Sequence, residues 1–444
     1  MSGVAAVVTA ARSEEDQARA AGALRAHGLE AGERVALIAD GGPAYLAVAL
    51  GALRTGVIPV LVNTHLLPAE QDALLADARP ALVLRDRALD DLVTAGAGAP
   101  EVALAPAPLG RPMIYTSGTT GRPKGVWSGV LDGEDAAALL AEEREQWGFR
   151  ADDVHVVASP LHHSAPLRFA AGTLLAGGTV VLPGHFTAEG FGAAVTAHRP
   201  TSVFLVPAHL QRLFAPDAPP VPDLSSFRLV AHAGAPCPTR LKERALAAFP
   251  EGSVWEFYGS TEAQFTVCSS DDWRARPGTV GRARAGRRLS VDDDGTIWCV
   301  TPRHARFTYW DDPDKTAAAW RGDACTVGDL GRLDDDGYLY LEGRRSDLVI
   351  TGGVNVYPLE VERALLEHPD VHEAAVFGVA DERWGQRVCA AVVGEVSTEE
   401  VDAWLAARVA PYKRPKTVVL VDALPRNSMG KVSRGRLGAA LDLE

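Results

Sequence analysis

Short apolar segments alternate with helix-like segments over the first 230 residues of the chain. The apolar segments have the length of buried strands, and the segments between them carry helical spacing. This alternation predicts an α/β fold, with a largely parallel sheet flanked by helices on both faces. The predicted strands lie at residues 34–39, 57–62, 81–84, 112–115, 154–158, 179–182, 202–206 and 229–231.

The sequence changes in character near residue 340. Residues 343–353 are first charged, then apolar, and end in a glycine pair, and Pro358 then opens a helix with Val361, Leu365 and Leu366 on one face. Two further strands and a capping box at residues 397–400 follow. We predict an N-terminal domain at 1–343, a hinge at 344–347 and a small mobile α+β C-terminal domain at 348–444. The alternative is a surface loop within one domain.

Composition narrows the class of protein. A chain of 444 residues with 47% hydrophobic and 23% charged residues is expected to form two or three globular domains. The net charge of −13 disfavours nucleic acid and anionic membranes as partners. The N-terminus lacks a basic region, no apolar run reaches membrane-spanning length, and the five scattered cysteines form no Cys-x-x-Cys pair. We therefore expect a cytoplasmic protein without membrane insertion.

Residues 115–126 form a loop in which glycines and hydroxyl side chains are unusually dense. Glycines, Gly125 among them, let the backbone turn and expose its N–H groups, and a lysine adds a mobile positive charge. The spacing matches neither the Walker A loop nor the dinucleotide fingerprint. A surface linker is the alternative. The residues predicted to bind a polyphosphate are Thr116, Ser117, Gly118, Thr119, Thr120, Gly121 and Lys124.

This loop resembles the phosphate loop of the adenylate-forming superfamily, which contains acyl-CoA synthetases, peptide-synthetase adenylation domains and luciferases. Further motifs follow in the order of that family, at residues 159–165, 233–236, 258–262, 327–332 and 425–431. The chain looks most like an AMP-forming acyl-CoA synthetase. The resemblance implies a large N-terminal body and a small mobile C-terminal domain that carries the catalytic lysine.

The resemblance also implies roles for residues of the central motifs. His163 would lie where the acyl and phosphate sites meet, although a lone histidine is more often structural. Gly234 and Ala235 would form part of the adenine and acyl wall. In the motif at 258–262, Tyr258 would stack, Gly259 would allow close backbone approach, Thr261 would donate a hydrogen bond and Glu262 would bind Mg²⁺. The alternative for this motif is a helix start capped by Ser260 or Thr261.

The later motifs complete the predicted site. Asp329 would bind the ribose hydroxyls, Arg344 would lie near the ribose and α-phosphate, and Lys431 would be the catalytic lysine. Rotation of the C-terminal domain would bring Gly352 and Gly353 beside a pantetheine tunnel. The acidic run at 334–336 is predicted to be a solvated hairpin turn.

The predicted reaction consumes ATP, Mg²⁺ and coenzyme A and activates a fatty or aromatic carboxylic acid. Transfer to a carrier protein or an amine, and a non-catalytic relative, remain alternatives, and a homodimer is left open. The chain departs from the family at the hinge, where Ser346 replaces the usual Asp or Lys. The acid itself is the least determined feature. Trp127, Ser164, Phe169 and His209 are candidate pocket residues, and Arg168 either pairs with a second carboxylate in the pocket or lies on the surface.

Overall fold

The structure is a computed structural model that describes residues 5–116, 124–426, 432 and 434–443. Several predicted site residues lie outside this part of the chain: Ser117, Gly118, Thr119, Thr120, Gly121 and Lys431.

The strands of the described chain are named in sequence order. They are β1 (Ala6–Thr9), β2 (Arg34–Ile38), β3 (Ile58–Leu61), β4 (Leu82–Arg85), β5 (Met113–Thr116), β6 (Lys124–Trp127), β7 (Val154–Val157), β8 (Thr179–Leu182), β9 (Ser202–Leu205), β10 (Leu229–His232), β11 (Val254–Gly259), β12 (Gln264–Cys268), β13 (Arg282–Ala283), β14 (Arg288–Val291), β15 (Ile297–Val300), β16 (Thr308–Tyr309), β17 (Trp320–Arg321), β18 (Ala324–Cys325), β19 (Asp329–Leu333), β20 (Leu339–Arg344), β21 (Val349–Thr351), β22 (Val354–Val356), β23 (Val371–Asp381), β24 (Gly385–Gly394) and β25 (Thr417–Leu420).

The α-helices are named in the same way. They are α1 (Ala10–Ala26), α2 (Pro43–Leu53), α3 (Pro68–Ala78), α4 (Ala88–Ala95), α5 (Gly133–Trp147), α6 (Ser164–Leu175), α7 (Ala188–His198), α8 (Pro207–Leu213), α9 (Thr239–Ala248), α10 (Ser270–Ala275), α11 (Pro313–Ala319), α12 (Pro358–Leu366), α13 (Thr398–Ala406) and α14 (Arg434–Ala440). Short 3-10 turns occur at Gly96–Gly98, Arg303–Ala305, Arg345–Asp347 and Pro411–Lys413.

Two large sheets organise the first two thirds of the chain. One has the order β1-β8-β7-β9-β10-β11-β12-β13, and its segment from β8 to β11 is parallel. The other has the order β16-β6-β5-β3-β2-β4, and its segment from β5 to β4 is parallel. Each of the eight predicted strands is present in one of these sheets, so the predicted α/β class is confirmed.

Helices α1, α2 and α6 lie between the two large sheets. Their apolar side chains share one core with residues of both sheets, as Leu46 of α2, Leu37 of β2, Leu174 of α6 and Val180 of β8 show. Helix α2 is buried from Tyr45 through Leu53, because a helix that is apolar on all sides needs cover on all sides.

The smaller sheets come from the later part of the chain. Strands β14-β15-β18-β17 form one sheet, β19 and β20 form a hairpin, and β22-β21-β24-β23 form a third, with β25 added to β24. The acidic run at 334–336 lies in the turn of the β19–β20 hairpin, as predicted. The predicted capping box is also present, since the Ser397 and Glu400 side chains each bond the other residue's backbone N–H.

One local expectation is wrong, and one alternative is excluded. Gly125 lies in β6 opposite Tyr115, rather than in a turn. A Cβ at this position would lie 2.5 Å from Met113 Cε and 3.1 Å from Trp310 Cβ and Tyr115 Cζ, so a larger residue would have to displace these side chains. The motif at 258–262 does not begin a helix but joins β11 to β12.

Within the described ranges, no helix has both the length and the apolar character needed to cross a membrane.

Candidate active site

The end of the phosphate loop is held next to a buried carboxylate. Lys124 is the cross-strand partner of Thr116, so both ends of the loop meet on the β5–β6 hairpin. Strand β16 pairs with the other edge of β6, and its Tyr309 ring lies 5.1 Å from the Lys124 Nζ. The Tyr309 hydroxyl donates a 3.0 Å hydrogen bond to Glu262 Oε1. Tyr309 thus joins two predicted ligand-binding residues.

A second ammonium group, that of Lys315, lies near Lys124. Burial, together with the nearby ammonium group of Lys315, lowers the pKa of Lys124, while Glu262 opposes the shift. Lys315 itself pairs with Asp312 at 3.2 Å. Neither Tyr309 nor Lys315 was identified from the sequence, because no motif marks them. Their position beside the loop depends on the pairing of β16 with β6.

The motif at 258–262 forms a strand, a tight turn and a second strand. Ser260 N–H donates to the carbonyl of Ala263, and Glu262 N–H donates to the Ser260 hydroxyl. A Cβ on Gly259 would lie 2.5 Å from the Ala263 carbonyl oxygen, so this turn requires glycine. Thr261 is half-buried, and the Glu262 residue is only 7% exposed. The turn therefore directs the carboxylate inward.

Tyr258, Asp329 and Arg344 form one hydrogen-bonded group. The Tyr258 hydroxyl donates to Asp329 Oδ2 at 2.7 Å, and Arg344 Nε donates to Asp329 Oδ1 at 3.0 Å. Asp329 and Arg344 are register partners at the end of the β19–β20 hairpin, which explains their proximity. Burial raises the pKa of Asp329, although Arg344 and the Tyr258 hydroxyl favour its charged form. The structure thus brings together three residues that the sequence placed around a nucleotide.

Gly234 and Ala235 lie in the exposed loop that follows β10. Strands β9, β10 and β11 are parallel neighbours, so this loop and Tyr258 both lie towards the same carboxyl edge of the sheet. Ligands of open α/β sheets usually bind at this edge.

His163 is the N-cap residue of α6 and is exposed, whereas its neighbour His162 is buried. The two rings lie 4.4 Å apart between centroids. Burial, with His163 and His65 nearby, lowers the pKa of His162 to about 3, so this imidazole is neutral at physiological pH. Of the two histidines, His163 is the accessible one.

A cavity of about 130 Å³ adjoins the turn at 260–263. Ser164 and Arg168 of α6 line it, together with Ser260 and Thr261. The surface interpretation of Arg168 is therefore wrong. Phe169 points elsewhere: its ring packs against Trp147, Phe204 and Phe257 at centroid distances of 5.0, 5.7 and 6.4 Å.

Charged groups concentrate around this cavity. Burial and neighbouring guanidinium groups lower the pKa of both Arg111 and Arg168 to about 10, although Glu262 and Glu143, respectively, oppose the shifts. Arg111 donates hydrogen bonds to the backbone carbonyls of Glu262 and Arg306 at 3.0 and 2.8 Å. The full group consists of Arg111, Glu142, Glu143, Arg168, Arg284 and Arg287.

The remaining predicted residues lie in the C-terminal part of the chain. Gly352 and Gly353 form the turn of the β21–β22 hairpin, and Gly352 N–H donates to the Trp384 carbonyl at 2.8 Å. In the described part of the chain, no hydrogen bond or ion pair links this hairpin to Glu262 or Asp329.

Glu262 suits a magnesium ion. Its Oε1 accepts from Tyr309, and no hydrogen bond from a described residue reaches its Oε2. No group of three or more potential ligands from His, Cys, Asp and Glu exists among the described residues. Because Mg²⁺ is usually bound by one or two carboxylates together with substrate phosphates, a single carboxylate beside a phosphate loop fits this ion.

Comparison with known proteins agrees with this geometry. A model of the AMP-binding enzyme family matches residues 6–107 and 112–304, and a model of the AMP-binding enzyme C-terminal domain matches residues 360–431. The chain belongs to the AMP-binding enzyme family. The predicted family and the prediction of an adenylate-forming enzyme are thus confirmed.

Individual members of the AMP-binding family resemble the chain over almost its whole length. A feruloyl-CoA synthase from an Amycolatopsis species is 34% identical, covering 95% of this chain and 91% of its own. The o-succinylbenzoate CoA synthetase of Bacillus subtilis with its acyl-adenylate has a TM-score of 0.83 at 28% identity, covering 96% and 92%. An amide bond synthetase from Marinactinospora thermotolerans has a TM-score of 0.84 at 27% identity, covering 98% and 95%.

Proposed function

We propose that this protein is an ATP-dependent, AMP-forming carboxylate–CoA ligase. In the first half-reaction, a carboxylate oxygen of the acid attacks the α-phosphorus of ATP, which yields an acyl-adenylate and pyrophosphate. In the second, the sulfur of CoA attacks the acyl carbon, its proton is lost and AMP leaves. The observation that carries the proposal is the convergence of Lys124, Tyr309 and Glu262 beside the linked group Tyr258, Asp329 and Arg344.

The first half-reaction requires two anions to approach each other. Residues 116–121 and Lys124 bind the β- and γ-phosphates, and Asp329 and Arg344 bind the ribose and α-phosphate. Bound at Glu262, Mg²⁺ supplies positive charge that offsets the negative charge of the phosphate oxygens. Lys431 bridges the carboxylate and the α-phosphate. Alignment and charge neutralisation then supply the catalysis, without a side-chain nucleophile.

The remaining residues position the organic parts of the substrates. Gly234, Ala235, Tyr258 and Gly259 form the adenine wall, where Thr261 donates a hydrogen bond. His163 lies between the acyl and phosphate sites, and its exposure at the start of α6 supports this role.

The second half-reaction uses the C-terminal domain, residues 348–444, turning about the hinge at 344–347. This movement withdraws Lys431 and brings Gly352 and Gly353 to the pantetheine arm of CoA. The separate C-terminal sheet and the separate match of the C-terminal family model support such a division. The free cysteines, four of them buried, support a cytoplasmic location.

A second candidate function retains adenylation but changes the acceptor to an amine or a carrier-protein thiol. The likeness to an amide bond synthetase across 98% of the chain favours keeping this candidate. The two functions share the first half-reaction and differ only in which nucleophile releases AMP.

Incubation with ATP, Mg²⁺, CoA and a mixed library of carboxylic acids, followed by mass spectrometry, tests the proposal. We expect a new acyl-CoA mass together with stoichiometric AMP. Acyl-adenylate without a CoA adduct, followed by amide or carrier adducts once those acceptors are added, would favour the second candidate. Absence of AMP formation with every acid would refute adenylation.

A further inference from the structure

The cavity beside the motif turn carries more positive than negative charge. Three guanidinium groups line the cavity, those of Arg111, Arg168 and Arg287, together with the carboxylates of Glu142 and Glu143. Arg284 pairs with both glutamates and adds a fourth guanidinium, so this charged cluster has two more positive than negative charges. One positive charge remains even when Glu262, which lies near Arg111, is counted. An excess of buried charge is costly unless a counter-ion is supplied.

The two glutamates are already engaged by other groups. Glu143 accepts hydrogen bonds from Trp147 Nε1 at 3.1 Å and from Arg284 Nη2 at 2.9 Å. Glu142 accepts from Arg287 Nη1 at 2.8 Å and lies 2.7 Å from His304 Nε2. Each carboxylate oxygen of the pair therefore has a partner other than Arg168.

Arg168 is the member of this group that the protein leaves least satisfied. Its Nε lies 3.3 Å from Glu143 Oε2 without hydrogen-bond geometry, and both Nε and Nη2 are buried with no hydrogen-bond partner in the described chain. Its guanidinium lies 5.2 Å from the Phe257 ring centroid. Because a buried charged donor without an acceptor destabilises the fold, this arrangement indicates that an acceptor comes from a ligand.

Arg168 lies on the same face of α6 as Ser164, one helical turn further from the proposed reaction centre. Ser164, next to His163 at the start of the helix, lines the same cavity. Residues four apart share a helix face, so Arg168 lies one turn further in, ~6 Å along the axis. Ala171 and Leu175 continue this face as apolar lining. An acid with its reacting carboxylate near His163 would therefore extend towards Arg168.

The size of the cavity limits the length and bulk of the acid that can bind. A volume of about 130 Å³ is well below the ~300–1,000 Å³ of pockets that hold drug-sized ligands and is close to that of a cavity that holds one small ring. The aromatic rings around Phe169 fill the space on another side of α6. A compact acid fits better than a long-chain fatty acid.

We propose that the substrate is a compact dicarboxylic acid, one carboxylate of which reacts while Arg168 binds the other. A carboxylate matches the planar donor fork of a guanidinium and supplies the missing acceptor. Arg111 and Arg287 lie around the same cavity and strengthen the attraction. This inference rests on the proposed function, because it names the acid that the adenylation site accepts.

The first test uses the unaltered protein and compares matched acids. Short aliphatic and aromatic dicarboxylic acids are each paired with the monoacid in which a methyl group replaces one carboxyl, and AMP release is measured. We expect the diacid of a pair to have the higher kcat/KM. A general preference for monoacids would overturn this inference and leave the proposed function standing, whereas no AMP release with any acid would refute both.

The second test changes Arg168. We expect Arg168→Gln to lower kcat/KM for the diacid by roughly 10- to 100-fold, mainly through KM, and to affect the matched monoacid much less. Arg168→Lys should restore part of the diacid activity, because it retains the charge but not the planar fork. Arg87→Gln, at an exposed position, is the matched control. An equal loss for diacid and monoacid would show that Arg168 has only a structural role.

If Arg168→Gln does not fold, the result from the unaltered protein still decides the proposal. A direct measurement complements it: a diacid should raise the melting temperature of the unaltered protein in the absence of ATP more than its matched monoacid does. An equal shift for both acids would contradict a second-carboxylate site.

Discussion

The nucleotide side and the acyl side of this site are built in opposite ways. Around Asp329, each carboxylate oxygen already has a protein partner, Tyr258 or Arg344. Around Arg168, two buried nitrogens have none within the described chain. The first region is preorganised and needs little adjustment, whereas the second is left incomplete in a way that a substrate of suitable charge completes. On the proposed assignments, the residues that bind the nucleotide are held by internal hydrogen bonds, and the acid is selected by a guanidinium that lacks an internal partner.

The largest effect is expected from a residue that belongs to neither of these two regions, the proposed catalytic lysine. Lys431→Ala should lower acyl-adenylate formation roughly 100- to 1000-fold, because a charge placed at the reacting oxygens is lost. Thioester formation from supplied acyl-AMP should be nearly unchanged. Pyrophosphate release and CoA consumption measure the two halves separately. An equal loss in both halves would refute the assigned role.

Glu262→Gln should lower Mg²⁺-dependent turnover by about 100-fold, since a neutral amide is a weaker ligand than a carboxylate. The loss should be the same for a diacid and its monoacid, in contrast to Arg168→Gln. Steady-state rates over a range of Mg²⁺ concentration measure the effect. A changed diacid-to-monoacid ratio would show that the two regions do not act independently, and a large fall in melting temperature would favour a structural role.

Tyr309→Phe tests the Glu262 region with a smaller change than Glu262→Gln. It removes the hydroxyl that donates to Glu262 Oε1 but keeps the ring beside Lys124. One hydrogen bond to a charged group contributes ~1.5–3 kcal/mol, and partial compensation by water should limit the loss in kcat/KM to about tenfold. Kinetics with ATP as the varied substrate test this expectation. Unchanged kinetics would mean that Glu262 is positioned without Tyr309.

Ser346→Asp should have the smallest effect, less than about threefold on the overall rate, because an exposed charge contributes little. It restores one of the residues that the family usually carries at the hinge. The effect is measured by comparing the rates of the two isolated half-reactions between the variant and the unaltered protein. A large change confined to thioester formation would show that the hinge charge controls this step.

The fold and the grouping of Tyr258, Asp329 and Arg344 were largely predictable, because both depend on motifs that are local in sequence. The eight predicted strands are short apolar runs whose burial follows from their composition, and Tyr258, Asp329 and Arg344 lie in contiguous motifs. The alternative of a helix start at 258–262 arose because Ser260 and Thr261 have the side chains of an N-cap, whereas Gly259 permits a tight reversal into β12.

The acyl side was not predictable in the same way. Arg111, Arg168 and Arg287 lie far apart in sequence, and only tertiary packing brings them to one cavity, where Arg284 joins the cluster through Glu143. Tyr309 likewise reaches Glu262 through a two-residue strand without a motif. Sequence suggested that Arg168 either faces the pocket or lies on the surface, and deciding between these required the orientation of α6.

The two outer residues of the 3-10 turn at Arg345–Asp347 are attached in opposite directions. Arg345 pairs with Asp294 at 2.8 Å and donates to Thr296, while Asp347 pairs with Arg434 at 2.8 Å, and Arg434 also holds Glu362. Only Ser346 lies between these two anchors. A turn of the backbone at Ser346 would therefore carry each ion pair along with its own side of the molecule instead of breaking it. If the C-terminal domain turns here as proposed, the change of torsion angles can be confined to a single residue.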